Sequence, residues 1–215
     1  MWKKREFNKT TESKLLEKGA DRLIARLLSQ RDIFPEQLEQ FIKKDYSGLS
    51  HPHTLHGIKE GVDIFCKVAK AKGDIFVFGD YDVDGIMSSV IMNGICSNLN
   101  VPCEIFVPSR FEHGYGLNEK SIDAFKEARK SNVPELVFCV DCGINNDHEI
   151  QQLKDFGVKY VIIIDHHLIS DEPPKNADVV ISWLLSDDPY EMCAAAECFQ
   201  FARGLRWVTK KIDPI

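Results

Sequence analysis

The sequence predicts an α/β fold, a doubly wound and mainly parallel sheet preceded by a helical N-terminal region. Three observations carry this. Short apolar runs, IFVF (75–78), EIFV (104–107), ELVFCV (135–140) and YVIII (160–164), recur with helical stretches between them. Runs this apolar suit strands buried on both faces, and strands covered on both sides by helices form parallel sheets. Before residue 74 the apolar positions follow the wider spacing of amphipathic helices instead.

Taken in order, residues 12–71 read as helical. Leu15, Leu16, Leu23, Ile24, Leu27 and Leu28 recur with helical spacing, Pro35 sits at a helix start, and Leu38, Phe41 and Ile42 make a second short amphipathic piece. The segment SGLSHPHT interrupts as a loop. A third helix carries Ile58, Val62, Ile64, Phe65 and Val68 and breaks at Gly73. We therefore divide the chain into a helical N-terminal region, 1–73, and an α/β domain, 74–215. Helices at about 86–99, 119–130 and 147–156 separate the strands. A further short strand, VVI (179–181), precedes the acidic segment SDDPYE and a last helix from about residue 191 to 208.

With 215 residues the chain can bury a sizeable core. No apolar run approaches the roughly 20 residues of a membrane span, and MWKKREFNKTTESK lacks the apolar stretch of a secretory leader. A cytoplasmic protein with no membrane partner is expected. Seven cysteines, an odd number, argue for reduced thiols. Cys139 and Cys142 form a CxxC, but no second pair with zinc spacing follows, so core thiols are the expectation. A net charge of −6 argues against a broad basic nucleic-acid surface and leaves room for a narrow one where bound metal neutralises aspartates.

Three strands run into residues unsuited to packing. IFVF leads into GDYDVDG with Asp80, Asp82 and Asp84; LVFCV leads into Asp141; VIII leads into Asp165, His166 and His167. In a parallel open sheet the C-terminal strand ends share one edge, where ligands bind. Carboxylates and imidazoles gathered there repel one another and lose solvation unless a cation neutralises them. Oxygen donors with an occasional imidazole suit Mn²⁺ or Mg²⁺ rather than zinc. Two such ions, roughly 3.5 to 4 Å apart and bridged by a carboxylate, would serve phosphodiester hydrolysis. The helix after Gly85, with the Ser88 and Ser89 hydroxyls, would face a phosphate oxygen. A calcium loop is excluded, because its twelfth position counted from Asp80 is Ile91 rather than Glu. Asp141 taken singly could equally cap the next helix.

The segments GDYDVDG (79–85), VPSRFEHGYGLN (107–118), VDCGI (140–144) and DHH (165–167) together resemble the DHH phosphoesterase superfamily, in particular its RecJ-type branch of single-strand-specific exonucleases. The similarity runs in order from about residue 20 to 182, including LLSQRDI and LSHPHTL. It implies a metal-dependent 5′ to 3′ exonuclease on single-stranded DNA in repair or recombination, with two Mn²⁺ or Mg²⁺ ions. It also implies a single-strand-binding protein or a helicase as candidate partners. By the resemblance, Asp82 and Asp84 bind separate ions, Asp141 bridges them, His166 ligates the second, and Asp80 is an additional or water-mediated ligand. His167 contacts the phosphate or the transition state and Asp165 orients the neighbouring imidazole. Arg110 anchors a phosphate, with an ion pair to Glu112 as the plainer alternative. Tyr81 or Tyr115 offers a stacking face to an unpaired base, or simply packs.

Three departures from the family pattern qualify this. Phe78 stands where many members have histidine, and Met87 where threonine is frequent. The family also continues into a further metal-binding aspartate and C-terminal domains. Asp213 lies outside any matching strand, so a fragment or a reduced relative is expected, with its own activity in question. The alternatives are a catalytically impaired module that binds nucleic acid or a protein partner, and a phosphodiesterase acting on short oligonucleotides, cyclic dinucleotides or pyrophosphate.

Overall fold

The computed structural model describes residues 3–42, 49–114, 116–187 and 191–209, without the side chains of residues 40 and 207–209. Helices and strands are separated by turns that the sequence punctuates. The chain divides into two compact units, Met1–Ser50 and His51–Ile215.

In the first unit, α1 (Lys9–Glu17) begins at Asn8, whose Oδ1 accepts the N–H groups of Thr10 (2.9 Å) and Thr11 (3.1 Å). Gly19, at φ 90°, takes the left-handed turn that ends it. α2 (Arg22–Ser29) starts at Asp21, which accepts the Leu23 N–H, and a short turn at Pro35–Gln37 leads into α3 (Leu38–Ile42). The core here is Leu15, Ala25, Leu28 and Leu38. Leu16, Leu23, Ile24, Leu27, Phe41 and Ile42 are exposed, so much of the apolar pattern with helical spacing is not buried in this unit.

The second unit opens with α4 (Ile58–Ala71), which buries Ile58, Val62, Phe65 and Val68. The sequence reading groups this helix with the N-terminal region, yet those side chains share a core with Val77, Phe138, Ile162 and Phe201 of the sheet domain. β1 (Ile75–Gly79), β2 (Cys103–Phe106), β3 (Leu136–Val140), β4 (Tyr160–Ile164) and β5 (Val179–Ile181) form one sheet in the order β2-β1-β3-β4-β5. All its pairings are parallel; Val77 lies against Phe138, and Val140 against Ile164.

Helices cover both faces, and side chains alternate between them with the strand period of two. Val77, Phe138 and Ile162 pack under α4, α5 (Val83–Leu99) and α8 (Ala194–Thr209). Phe76, Phe78, Cys139 and Ile163 pack with side chains of α6 (Glu119–Arg129) and α7 (Asp147–Asp155). Strand order reverses between β1 and β3, which places the ligand-binding crevice of such a sheet at the C-terminal ends of those two strands. α5 starts at Val83, three residues before the expected position, because Asp82 caps it; α8 starts at Ala194 instead of about 191.

Candidate metal centre

Each acidic side chain reaches the rim because its strand ends there. β1 delivers Asp80, fully buried; the backbone N–H groups of Tyr81 and Gly116 face its carboxylate, but neither oxygen has a hydrogen bond of good geometry. The next turn fits only because residue 85 is glycine: a Cβ there would lie 2.5 Å from the Asp80 carbonyl oxygen. Asp82, exposed, caps α5 by accepting the N–H groups of Asp84 (2.9 Å) and Gly85 (3.1 Å) with Oδ1. β3 delivers Asp141, whose N–H extends the ladder to the Ile164 carbonyl (2.9 Å). Its φ of 59° lies in the left-handed region, a conformation that aspartate tolerates better than most residues. That turn sends its carboxylate into a buried position where Oδ1 has no hydrogen-bond partner.

β4 delivers the histidines. His166 Nε2 lies 3.4 Å from Asp84 Oδ2 and 3.4 Å from Asp141 Oδ1. His167 Nδ1 is 2.8 Å from Asp165 Oδ1 and 3.9 Å from Asp141 Oδ1. Asp165 is buried and fully occupied: Oδ1 also accepts the His167 N–H, and Oδ2 accepts the Ile144 N–H (3.0 Å). Two sets of donors emerge, Asp80–Asp82–Asp141 and Asp141–His166–His167, each within 4.8 Å, with Asp141 common to both.

The electrostatics follow from this crowding. Burial, then Asp84, Asp82 and Asp165, push the Asp141 carboxyl up to about 8, with His167 pulling the other way. Burial raises Asp80 as well. The hydrogen bond to Asp165 lifts His167 to about 9 against its own desolvation. A buried carboxylate without a donor, beside other acids and two imidazoles, is unstable alone and matched by a hard divalent cation. The donor set therefore fits Mn²⁺ or Mg²⁺.

The other residues singled out by sequence are distributed unevenly. Asp84 adjoins the centre, but its two oxygens accept the N–H groups of Ala194 (2.9 Å) and Ala195 (2.8 Å), so it also caps α8. Ser88 and Ser89 are buried, at 0% and 3% exposure, with Ser88 against Cys198 of α8 and Ser89 against Gly79. The packing of α5 on α8 and β1 turns both hydroxyls away from solvent, so the expected phosphate contact is not available to them. Arg110 is exposed, lies over the Tyr81 ring at 5.5 Å and makes no ion pair with Glu112. Tyr115 and Asp213 lie outside the described residues. Cys139 and Cys142 are buried free thiols, Cys139 pushed up to about 12 by burial, as core thiols should be. Phe78 fills the core against Phe106 at 5.2 Å.

One group escaped the sequence reading. Glu197 of α8 is fully buried; Oε1 accepts the Trp183 N–H (2.7 Å), and Oε2 has no partner. Burial, and next to it Asp165, Asp84 and Asp141, raise it to about 9. Its signal was a charge inside the buried stripe Ala194, Cys198, Phe201 and Leu205.

Residues 74–213 match the family model described as the DHH family, N-terminal domain. The chain belongs to the DHH family. It is similar to the single-stranded-DNA-specific exonuclease RecJ of Bacillus subtilis, with 33% identity over 71% of this chain and 19% of that protein. The RecJ of Escherichia coli is 32% identical over 77% of this chain and 27% of its own length. The chain thus spans between about a fifth and a quarter of these curated relatives. Among solved structures, an exonuclease RecJ bound to manganese superposes with a TM-score of 0.65 at 29% identity, covering 74% of this chain and 40% of the other. The RecJ of Thermus thermophilus, in complex with Mn²⁺, shares the fold at a TM-score of 0.70 and 22% identity, over 95% of this chain and 28% of the other. The DHH membership is that of a phosphoesterase family, and the α/β fold is the one these RecJ structures have. No helix among the described residues is long and apolar enough to cross a membrane.

Proposed function

We propose that this DHH chain carries a metal-dependent phosphodiesterase centre that removes nucleotides from the 5′ end of single-stranded DNA in repair or recombination. The single observation that carries the reading is the pair of donor sets sharing Asp141 at the sheet's switch point. The RecJ relatives, named as single-stranded-DNA-specific exonucleases, support the choice of substrate.

Asp80, Asp82 and Asp141 would hold one ion; Asp141 and His166, with Asp84 alongside, would hold the other. Divalent cations in that place supply Lewis acidity toward phosphate and lower the pKa of water. The chain's own residues do the rest. Asp165 fixes the His167 ring through Nδ1, so Nε2 is the nitrogen with which His167 meets the substrate. Arg110, on the same rim as Tyr81, offers a guanidinium to a neighbouring phosphate.

The test uses oligonucleotides labelled at either end. With Mn²⁺, the 5′ label should be released first as mononucleotide; chelation should stop release and added Mn²⁺ restore it. Internal cleavage, or full activity after chelation, would falsify the reading.

A further inference from the structure

A cavity of about 370 Å³ opens beside the metal centre, with Asp165 and His167 on its wall together with Asn145, Asn146 and Glu149. That volume is in the range of small-ligand pockets. Among the described residues its lining holds no lysine or arginine; His167 engages Asp165, and the Glu149 carboxylate faces no cation, so the Glu149 side of the cavity is unfavourable to a phosphate. A neutral group attached to a phosphate at the rim meets no such objection.

The walls are braced from behind. Asn145 Nδ2 donates to the Leu168 carbonyl (2.9 Å) while its Oδ1 accepts the Ser170 N–H (2.8 Å). Asn146 Nδ2 donates to the Leu117 carbonyl (2.8 Å) and, at 3.4 Å, to Glu149 Oε2. Asn146 Oδ1 and the other Glu149 oxygen are left to face a ligand, and both are acceptors. An amide and a carboxylate presenting acceptors side by side select a partner rich in N–H groups.

We propose that this cavity takes the nucleobase of the nucleotide whose phosphate lies at the metal centre, and that Glu149 and Asn146 accept hydrogen bonds from its amino group. The inference rests on the phosphodiesterase reading above and adds a base preference to it. Adenine, cytosine and guanine each present an exocyclic amine. Thymine presents one N–H flanked by two carbonyl oxygens, which the Glu149 carboxylate repels.

The experiment compares oligonucleotides that differ only in the 5′-terminal residue: dA, dC, dG, dT or an abasic site. With Mn²⁺, kcat/KM for the amino-bearing ends should exceed that for dT by about tenfold, the scale of one base-edge contact. Glu149→Ala should bring that ratio to about one and leave the abasic end within about twofold of the parent. Equal rates at all four bases in the parent protein, or a preference that survives Glu149→Ala, would overturn the base subsite while leaving the nuclease intact. Binding of deoxyguanosine and thymidine, which lack the phosphate, to chelator-treated protein, followed by NMR, judges the cavity without turnover. Tighter deoxyguanosine binding that is lost in Glu149→Ala supports it, and equal or absent binding of both overturns it. If no oligonucleotide is cut, the phosphodiesterase reading itself fails, and the two failures remain distinct.

Discussion

The two ends of the same sheet treat charge in opposite ways. Where strands begin, acidic residues find partners: Glu135 pairs with Lys159 at 2.8 Å, Asp178 with Lys154, and Glu104 with Arg129. Asp178 further accepts the Val161 N–H at 2.7 Å. Where strands finish, Asp80 and Asp141 are buried with no lysine or arginine among the described residues against them, and Asp165 is held by the chain's own His167. One edge is neutralised by the chain itself; the other calls for a cation from solution. The contrast teaches that an unpaired acid at the end of a buried strand marks chemistry, whereas the same residue with a lysine beside it marks architecture.

Asp141→Asn is the sharpest way to break the contrast. It should lower Mn²⁺-dependent hydrolysis by about a thousandfold or more, since it removes the donor common to both sets. Stability should move the other way. A carboxyl raised to about 8 destabilises the fold increasingly as pH climbs from its ordinary value through 8, so the variant should melt higher at pH 8.5 with chelator present. A rise of roughly 3 °C is expected, read by calorimetry; a fall would mean that the rim is held by something other than a cation. Next in size, Asp165→Asn should cost about 10- to 100-fold in rate with little change in fold, by loosening the His167 ring. Retained activity there would remove His167 from the chemistry.

At the opposite edge, Lys154→Ala should destabilise by about 1 kcal/mol and leave hydrolysis unchanged. Paired denaturation and activity measurements check it, and a loss of rate would show that the two edges are coupled. A change read in pH dependence rather than in rate is expected from Glu197→Gln. Glu197 is raised to about 9 when folded, so it holds its proton between its unfolded value and that pH, and stability declines across the interval as pH rises. Glutamine keeps the acceptor for the Trp183 N–H and removes the titration. The variant should gain on the parent more at pH 8 than at pH 5 in chelator, and equal gains at both would show that Glu197 titrates normally.

Legibility in the sequence followed the range of the interactions. Asp80, Asp141 and the pair His166–His167 stood out because each interrupts an apolar strand at its last residue, a purely local signal. The same logic exposed the parallel sheet and its covering helices. It failed where a distant element decides. Ser88 and Ser89 looked suited to phosphate, but both are buried, Ser88 against Cys198 of α8, which lies 110 residues further along the chain. The capping of α8 by Asp84 links residues 110 apart. Glu197 hid in α8, whose buried face packs against side chains of α4 and of the sheet far from it in sequence.

That link from Asp84 to α8 has a consequence for biosynthesis. A ribosome adding about 5–20 residues per second needs on the order of ten seconds to travel from Asp84 to Ala194. Throughout that interval the helix that will clasp Asp84 does not yet exist. A nascent strand therefore carries its acidic loop unclasped, and the acidic centre takes its final form only when nearly the whole described chain has emerged.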